Sequence, residues 1–93
     1  MLYHREHPSF PDMPEVADLL ARGFIDQSWH NDTCPGFERG QIKVWIEHPN
    51  ADQRENPERY CVDRLDDDGI SYGDSLLYIG DSWSEALAII DAQ

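Results

Sequence analysis

The sequence predicts an α+β fold, a two-layer sandwich in which an antiparallel sheet of three to five strands carries two helices on one face, in the order α-β-β-β-β-α. Apolar residues recur at helical spacing near both ends of the chain and alternate with polar residues in its middle. The alternating segments are joined by connections short enough for hairpins, which favours antiparallel pairing. A chain of 93 residues has the size of one domain, so we expect a single domain over residues 1–93.

The first helix is expected at about residues 13–22, where apolar residues recur at helical spacing. Asp12 and Glu15 have the spacing of a capping box, and Gly23 is typical of the position just beyond a helix. Residues 1–11 are predicted to form an extended lead-in, because the prolines in and after this segment interrupt helical hydrogen bonding.

The middle of the chain predicts the strands of the sheet. Residues 41–48 alternate most clearly, because Ile42, Val44 and Ile46 fall on one side. Trp45 falls on the other side. The predicted strands are Phe24–His30, Gln41–His48, Arg59–Leu65 and two short returning segments, Ile70–Tyr72 and Leu76–Ile79, which residues 73–75 interrupt. Turns are predicted over Asn31–Gly36 and Asp66–Gly69, and a polar loop is predicted over Pro49–Pro57.

The last helix is expected at about residues 83–92. Ser82 and Glu85 have capping-box spacing, and the helix dipole favours the acids near this end. With both helices packed on the sheet, the predicted core consists of Val16, Leu19, Leu20, Ile25, Ile42, Val44, Ile46, Tyr60, Val62, Leu77, Ile79, Trp83, Leu87 and Ile90.

The charge of the chain is strongly negative and unevenly distributed. Nineteen acids against seven bases give a net charge of −12, and no lysine or arginine follows Arg64. Nucleic acids and anionic membranes bind positive charge. The sequence therefore predicts neither as a direct partner and favours a protein partner with a basic surface.

The compartment and the state of the cysteines follow from two further patterns. No apolar run reaches the roughly 20 residues of a membrane span. Met1–Phe10 lacks the apolar stretch of a signal peptide, so we expect a cytoplasmic protein. In that compartment Cys34 and Cys61 are expected to be free thiols.

The predicted partner-binding residues are acids of the C-terminal third together with one tryptophan. Carboxylates that form one continuous face imitate the charge row of DNA and attract a basic groove. Trp45 faces away from the predicted core, and exposed aromatic surface with a polar rim is typical of interfaces. The alternative is that the N-terminal segment or residues 29–37 cover it. The predicted set is Asp66, Asp67, Asp68, Asp74, Asp81, Glu85 and Trp45.

These features predict a small acidic protein-binding module that is not an enzyme and needs no metal or cofactor. In size and charge the chain resembles DNA-mimicking inhibitors of phages and mobile elements, such as anti-restriction and anti-CRISPR proteins, which implies an inhibitor that blocks a basic surface. One alternative is a homodimeric accessory or structural domain, with Trp45 buried between chains. A second is a small metal or thiol enzyme that uses His30, Asp32, Cys34 and Cys61.

Overall fold

Helices lie at both ends of the chain and strands lie between them. The structure is a computed structural model that describes residues 1–70 and 75–93. For residues 71–74 it describes the strand to which they belong but not their side chains. The elements are α1 (Leu2–Glu6), α2 (Pro14–Ala21), β1 (Ile25–Asp26), β2 (Gly36–Arg39), β3 (Ile42–Ile46), a 3-10 turn (Ala51–Gln53), β4 (Tyr60–Leu65), β5 (Ser71–Gly80) and α3 (Trp83–Asp91). The predicted α+β class and the succession of helix, strands and helix are confirmed, and α1 and β2 are additional elements.

The strands form one antiparallel sheet in the order β1-β2-β3-β4-β5. In its centre, Val44 of β3 pairs with Phe37 of β2 and Val62 of β4. The next residue, Trp45, pairs with Cys61. Successive residues of a strand point to opposite faces, so Val44 and its cross-strand neighbours lie on one face of the sheet and Trp45 and its cross-strand neighbours lie on the other. We call these two sets of neighbours the Val44 row and the Trp45 row.

The core includes the Val44 row of the sheet. Ile42, Val44 and Ile46 are at most 5% exposed, whereas Lys43 and Trp45 between them are half-buried. The predicted core residues that are buried are Val16, Leu19, Ile42, Val44, Ile46, Tyr60, Val62 and Ile90. The predicted core residues that pack against them while half-buried are Leu77, Trp83 and Leu87.

Polar contacts connect the two longer helices, and a ring contact connects α3 to the sheet. Arg22 Nε–H donates to Asp91 Oδ1 at 2.7 Å, and Trp83 Nε1–H donates to Asp18 Oδ2 at 2.9 Å. The Trp83 ring lies 4.9 Å from the ring of Tyr60 in β4. These contacts fix α2 and α3 beside each other.

Two predicted local signals are confirmed. Ser82 Oγ accepts the backbone N–H of Glu85 at 3.2 Å and caps α3, which is the N-cap half of the predicted capping box. The backbone N–H of Ser82 donates to the Tyr78 hydroxyl at 3.1 Å instead of to Glu85. In the β4–β5 turn, Gly69 N–H donates to the carbonyl oxygen of Asp66 at 2.9 Å. Gly69 has a φ of +77°, a conformation that glycine adopts without the steric cost of a Cβ.

The extended lead-in predicted over residues 1–11 is wrong, because residues 2–6 form α1. Proline restricts the residue before it and the helix that contains it, but not a helix that ends earlier. His7, which precedes Pro8, has a φ of −132° and ends α1. Tyr3 of this helix is 2% exposed, and its ring lies 6.0 Å from Phe37. The N-terminal segment is therefore part of the core.

The capping box predicted at the start of α2 is also wrong. The N-cap residue is Met13, with no side-chain cap, and Pro14 occupies the first helical turn. Asp12 instead lies 2.7 Å from His4 Nε2, and the side chain of Glu15 is buried. Spacing alone could not show that Glu15 faces the sheet.

The strand predicted over 24–30 is reduced to β1, and its faces are reversed. Phe24 is 3% exposed and Ile25 is 62% exposed, the opposite of the predicted core. A one-residue change of register moves every side chain of a strand to the other face. Pairing of Ile25 with Glu38 and of Asp26 with Phe37 sets the register, and β2 itself was not predicted.

Two further core predictions are wrong. Ile79 is 50% exposed because it pairs with Cys61, in the Trp45 row. The pairing of β4 with β5 is irregular between Val62 and Asp63, and this shifts the alternation along β5. Leu20 is 42% exposed at the margin of the apolar stripe of α2.

Candidate functional site

The sheet face that carries Trp45 is the first candidate for a binding surface. Trp45, Cys61 and Ile79 are register neighbours across β3, β4 and β5, and Leu76 pairs with Asp63 on the same side. Trp45 and Cys61 are half-buried, while Ile79 and Leu76 are exposed. We name Trp45, Cys61, Leu76 and Ile79 together the Trp45 face. Adjacent apolar side chains on a surface are typical of sites that bind a partner.

The Trp45 indole is held by its neighbours on β2 and β3. Lys43 Nζ lies 4.9 Å from the indole ring centroid and 3.3 Å from Glu38 Oε2. Gly36 pairs with Trp45 across the sheet. A Cβ at position 36 would approach Lys43 Cε to 2.9 Å and Trp45 Nε1 to 3.4 Å. Glycine therefore lets both side chains lie close to the β2 backbone.

A cleft of about 160 Å³ lies beside Trp45. A volume of roughly 15 Å³ of this kind admits one water molecule, so the cleft has room for a side chain of several heavy atoms. Its apolar lining comes from Trp45, Cys61 and Ile79 of the Trp45 face and from Cys34, and its polar lining comes from Thr33 and from the segment between β3 and β4. The lining residues are Thr33, Cys34, Trp45, Glu47, Asn56, Glu58, Arg59, Cys61 and Ile79.

Glu47 fixes the loop that forms one wall of the cleft. Its side chain is buried, and Oε1 accepts the backbone N–H of His48 at 2.9 Å. Oε2 accepts the backbone and side-chain N–H groups of Asn56 at 3.1 and 3.0 Å. Asn56 also donates to Thr33 Oγ1 at 2.9 Å, so the loop after β3 is tied to the segment before β2. Three donors compensate the burial of the Glu47 carboxylate.

The Arg59 guanidinium, although it lines the cleft, is bound to groups of the protein itself. Arg59 Nη1 donates to Glu15 Oε2 at 2.8 Å and to the Tyr60 hydroxyl at 2.9 Å, and Nε donates to the Glu47 carbonyl oxygen at 3.0 Å. The Tyr60 hydroxyl donates to the same Glu15 oxygen. Burial and then the bond to Glu15 raise the pKa of Tyr60. Glu15 therefore balances the charge of Arg59.

Glu58 supplies the carboxylate best placed to meet a ligand. Its side chain is half-buried in the lining of the cleft. Its charge contributes to the raised pKa of Cys61, as expected for a carboxylate close to that thiol. Because Arg59 is balanced by Glu15, the acids Glu47 and Glu58 leave the cleft with a negative charge that attracts cations.

Cys34 and Cys61 line the cleft as free thiols, as predicted. Burial, with a smaller effect of Glu47, raises the pKa of Cys34 to about 12. Burial, followed by the charges of Asp63 and Glu58, raises the pKa of Cys61 to about 11. The thiolate is the nucleophilic form of cysteine. Both thiols are therefore protonated near neutral pH, which disfavours the thiol-enzyme alternative.

His30, the imidazole of the enzyme alternative, faces Glu6 rather than a thiol. The His30 side chain is 61% exposed, and its Nδ1 lies 3.7 Å from Glu6 Oε1. His30 and Asp32 are both absent from the lining of the cleft. Within residues 1–70 and 75–93, no group of three or more His, Cys, Asp and Glu side chains is arranged to hold a metal ion.

The predicted acidic residues lie at the two ends of β5. Asp66, Asp67 and Asp68 precede this strand, whereas Asp81 and Glu85 follow it. The remaining predicted acid, Asp74, lies outside the described residues. The described acids therefore form two groups with a ten-residue strand between them.

Several of these acids serve the fold. Asp66 Oδ1 accepts the backbone N–H groups of Asp68 and Ile70, each at 2.9 Å, and so closes the β4–β5 turn. Asp81 Oδ1 accepts the backbone N–H of Arg59 at 2.8 Å. Hydrogen bonds also engage Asp67 with Gln41, Glu85 with Tyr78 and Asp91 with Arg22. The exposed side chain of Asp68 is the best placed of the turn acids to meet a partner.

The site residues predicted from the sequence do not include Glu47, Asn56, Glu58 or Arg59. A partial signal exists, because alternation places Glu47 on the same side of its strand as Trp45. The polar loop itself carries no periodic pattern, so the return of Asn56 to Glu47 could not be predicted.

Comparisons with protein-family models, curated proteins and solved structures found no match. Across the described part of the chain, no helix is long and apolar enough to cross a lipid bilayer. The functional interpretation therefore depends on the geometry of the Trp45 face, the cleft and the acids.

Proposed function

We propose that this protein is a binding module without enzymatic activity, which recognises a protein partner through the Trp45 face. The observation that carries the proposal is the exposure of Ile79 and Leu76, 50% and 42%, beside the half-buried Trp45. Burial of apolar surface stabilises a complex by about 25 cal/mol per Å² before the costs of association. A contiguous apolar group is therefore a better centre for an interface than scattered exposed residues.

We also propose the two-layer arrangement predicted from the sequence, with the helices on the face opposite Trp45. The contact of Trp83 with Tyr60 and the contact of Tyr3 with Phe37 support it, since Tyr60 and Phe37 belong to the buried rows of the sheet. In this arrangement Ile79 and Leu76 are exposed to a partner, while Thr33 and Cys34 of the segment before β2 flank the half-buried Trp45.

The partner is proposed to carry basic residues around an apolar centre. The net charge of −12 favours association with a basic surface and raises the rate of encounter at low salt. Asp68 lies at one end of β5, and Glu58 lies near the other. An acidic rim on both sides of an apolar face fits such a partner.

The nucleic-acid-mimicking version of this function, an inhibitor of the anti-restriction or anti-CRISPR kind, is supported by the net charge. It requires one continuous row of carboxylates. The separation of the described acids by β5 favours apolar recognition with charge at the rim over mimicry of a phosphate row.

The apolar part of the proposal is tested by capture of binding proteins with the wild type and two matched variants. Ile79→Glu places a charge on the Trp45 face, whereas Leu20→Glu places one on an exposed side chain of α2. We expect one captured protein to be lost with Ile79→Glu and retained with Leu20→Glu. Equal capture by both variants would contradict the proposal.

The charged part of the proposal is tested with a second matched pair. Asp67→Lys combined with Asp68→Lys reverses the turn charge but keeps Asp66, which closes the turn. Asp52→Lys combined with Glu55→Lys makes the same change of charge in an exposed loop. The turn variant is expected to weaken binding more than the loop variant, and added salt is expected to reduce that difference.

The homodimer alternative makes a separate prediction. If a second copy covers the Trp45 face, sedimentation of the purified protein gives the mass of a dimer, and Ile79→Glu gives the mass of a monomer. A monomer at high concentration, together with the capture result above, supports a different protein as the partner.

A further inference from the structure

We infer that the cleft beside Trp45 receives an arginine side chain of the partner. The inference rests on the proposed function, because it names the residue by which a basic partner enters the Trp45 face. It goes beyond that function by assigning one pocket and one kind of side chain to recognition.

The walls of the cleft suit the apolar part of a long basic side chain. Trp45, Cys61 and Ile79 give it an apolar wall, and its volume is about 160 Å³. Arginine and lysine bury their methylene groups along apolar surface while the charged end reaches a polar group. A shorter polar side chain would leave the apolar wall without a contact.

The charges of the cleft select a cation over an anion. Glu58 offers a half-buried carboxylate, and the buried Glu47 adds a second negative charge. The positive charge of Arg59 is compensated by Glu15 Oε2 at 2.8 Å. The positive charge of Lys43, which lies against the Trp45 ring, is compensated by Glu38 Oε2 at 3.3 Å. An anionic side chain would face these carboxylates, whereas a cationic side chain is attracted by them.

The combination of an aromatic wall and a carboxylate favours arginine over lysine. The guanidinium group is planar, less strongly hydrated than ammonium, and stacks on aromatic rings. It also donates two parallel hydrogen bonds to one carboxylate, which Glu58 can accept. Thr33 and Asn56 add polar atoms to the same lining. These features match the shape and donors of arginine.

The direct test is an NMR titration of the ¹⁵N-labelled protein with N-acetyl-L-arginine methylamide, which needs no partner. We expect saturable shifts at the Trp45 indole N–H and at the amides of Cys61 and Ile79, reduced by added salt. The citrulline analogue has nearly the same shape as the arginine probe but no charge. The lysine analogue has the charge but no planar guanidinium group. Equal binding of the citrulline analogue, or tighter binding of the lysine analogue, would overturn the inference.

Two variants place the effect in the cleft. Glu58→Gln is expected to weaken binding of the arginine probe about twofold to fivefold, and Glu85→Gln on the exposed side of α3 is expected to leave it unchanged. Absence of shifts in the cleft would overturn the inference.

Ile79→Glu and Glu58→Gln together separate this inference from the proposed function. If a captured partner is lost with Ile79→Glu but binds Glu58→Gln with full affinity, the result supports recognition through the Trp45 face. The same result refutes the assignment of the cleft to an arginine side chain. A captured partner that binds Ile79→Glu normally, alongside a positive probe titration, would refute the proposed function and retain a cleft that binds arginine.

Discussion

Glu15 illustrates what a single side chain does in this protein. Its position at the start of α2 matches a capping box, yet the carboxylate contacts Arg59 and Tyr60 of the sheet region instead. It connects α2 to the beginning of β4 and holds the Arg59 guanidinium that lines the cleft. The residue therefore links the stability of the fold to the charge of the site.

Removal of the Glu15 carboxylate should be costly. Glu15→Ala leaves the Arg59 charge, whose side chain is 15% exposed, without its partner. We expect a loss of about 3 kcal/mol in the free energy of unfolding. Glu15→Gln keeps an acceptor for Tyr60 and should lose about 1–2 kcal/mol. Urea unfolding measures both, and equal stability of Glu15→Ala and the wild type would contradict the assigned contacts.

The buried thiols make stability depend on alkaline pH. Burial raises the pKa of Cys34 from 9.0 to about 12, so the folded state favours the protonated thiol. The contribution of this thiol to the free energy of unfolding is fully present below pH 9 and is lost as the pH rises toward 12. At pH 10.5 we expect a loss on the order of 1–2 kcal/mol relative to pH 8.

Cys34→Ala provides the control for this pH dependence. The variant should lose less stability than the wild type between pH 8 and 10.5 in urea unfolding, because it has no thiol to ionise at position 34. The same fall in both proteins would show that other groups cause it, such as Tyr60, whose pKa is also raised by burial.

Among the elements, the β4–β5 turn contains acids with different roles. Asp66 stabilises the turn, whereas Asp68 is exposed to solvent. Asp66→Ala removes an acceptor for two backbone N–H groups and should cost about 1 kcal/mol. Asp68→Ala removes an exposed carboxylate of the same turn and should change stability by less than about 0.5 kcal/mol. Thermal unfolding compares the two, and equal effects would contradict the role of Asp66.

The N-terminal helix is an element of the core despite its five residues. The Tyr3 side chain is buried, its hydroxyl accepts the Met13 N–H at 3.3 Å, and its backbone N–H donates to Asp26 at 2.8 Å. Tyr3→Ala should lower the free energy of unfolding by about 3 kcal/mol. Tyr3→Phe should cost about 1 kcal/mol. A negligible loss in both variants would place α1 outside the cooperative fold.

The elements also show which kinds of signal the sequence contains. Strict alternation in β3 and the Ser82 cap of α3 predicted structure correctly, because the causes are local. The predicted inward-facing sides of β1 and β5 were wrong. The pairing of β1 with β2 and the irregular pairing of β4 with β5 near Val62 determine which of their side chains point to the core. At the site, alternation placed Trp45 correctly, whereas the cleft depends on the hydrogen bonds of Glu47 to a loop without periodicity.

At the scale of the whole molecule, charge and apolar surface have separate tasks in the proposed function. The net charge of −12 acts over a distance of roughly a Debye length, about 8–10 Å at physiological salt, and guides a basic partner. The Trp45 face then provides short-range contact and shape. This division predicts that salt alters mainly the association rate, while Ile79→Glu alters mainly the dissociation rate.

An NMR map of the interface on this protein, recorded with the captured partner bound, tests recognition through the Trp45 face most directly. We expect the largest changes at Trp45, Cys61, Leu76 and Ile79, with smaller changes at Asp68 and Glu58. Changes confined to α2 and α3, with the Trp45 face unaffected, would contradict it.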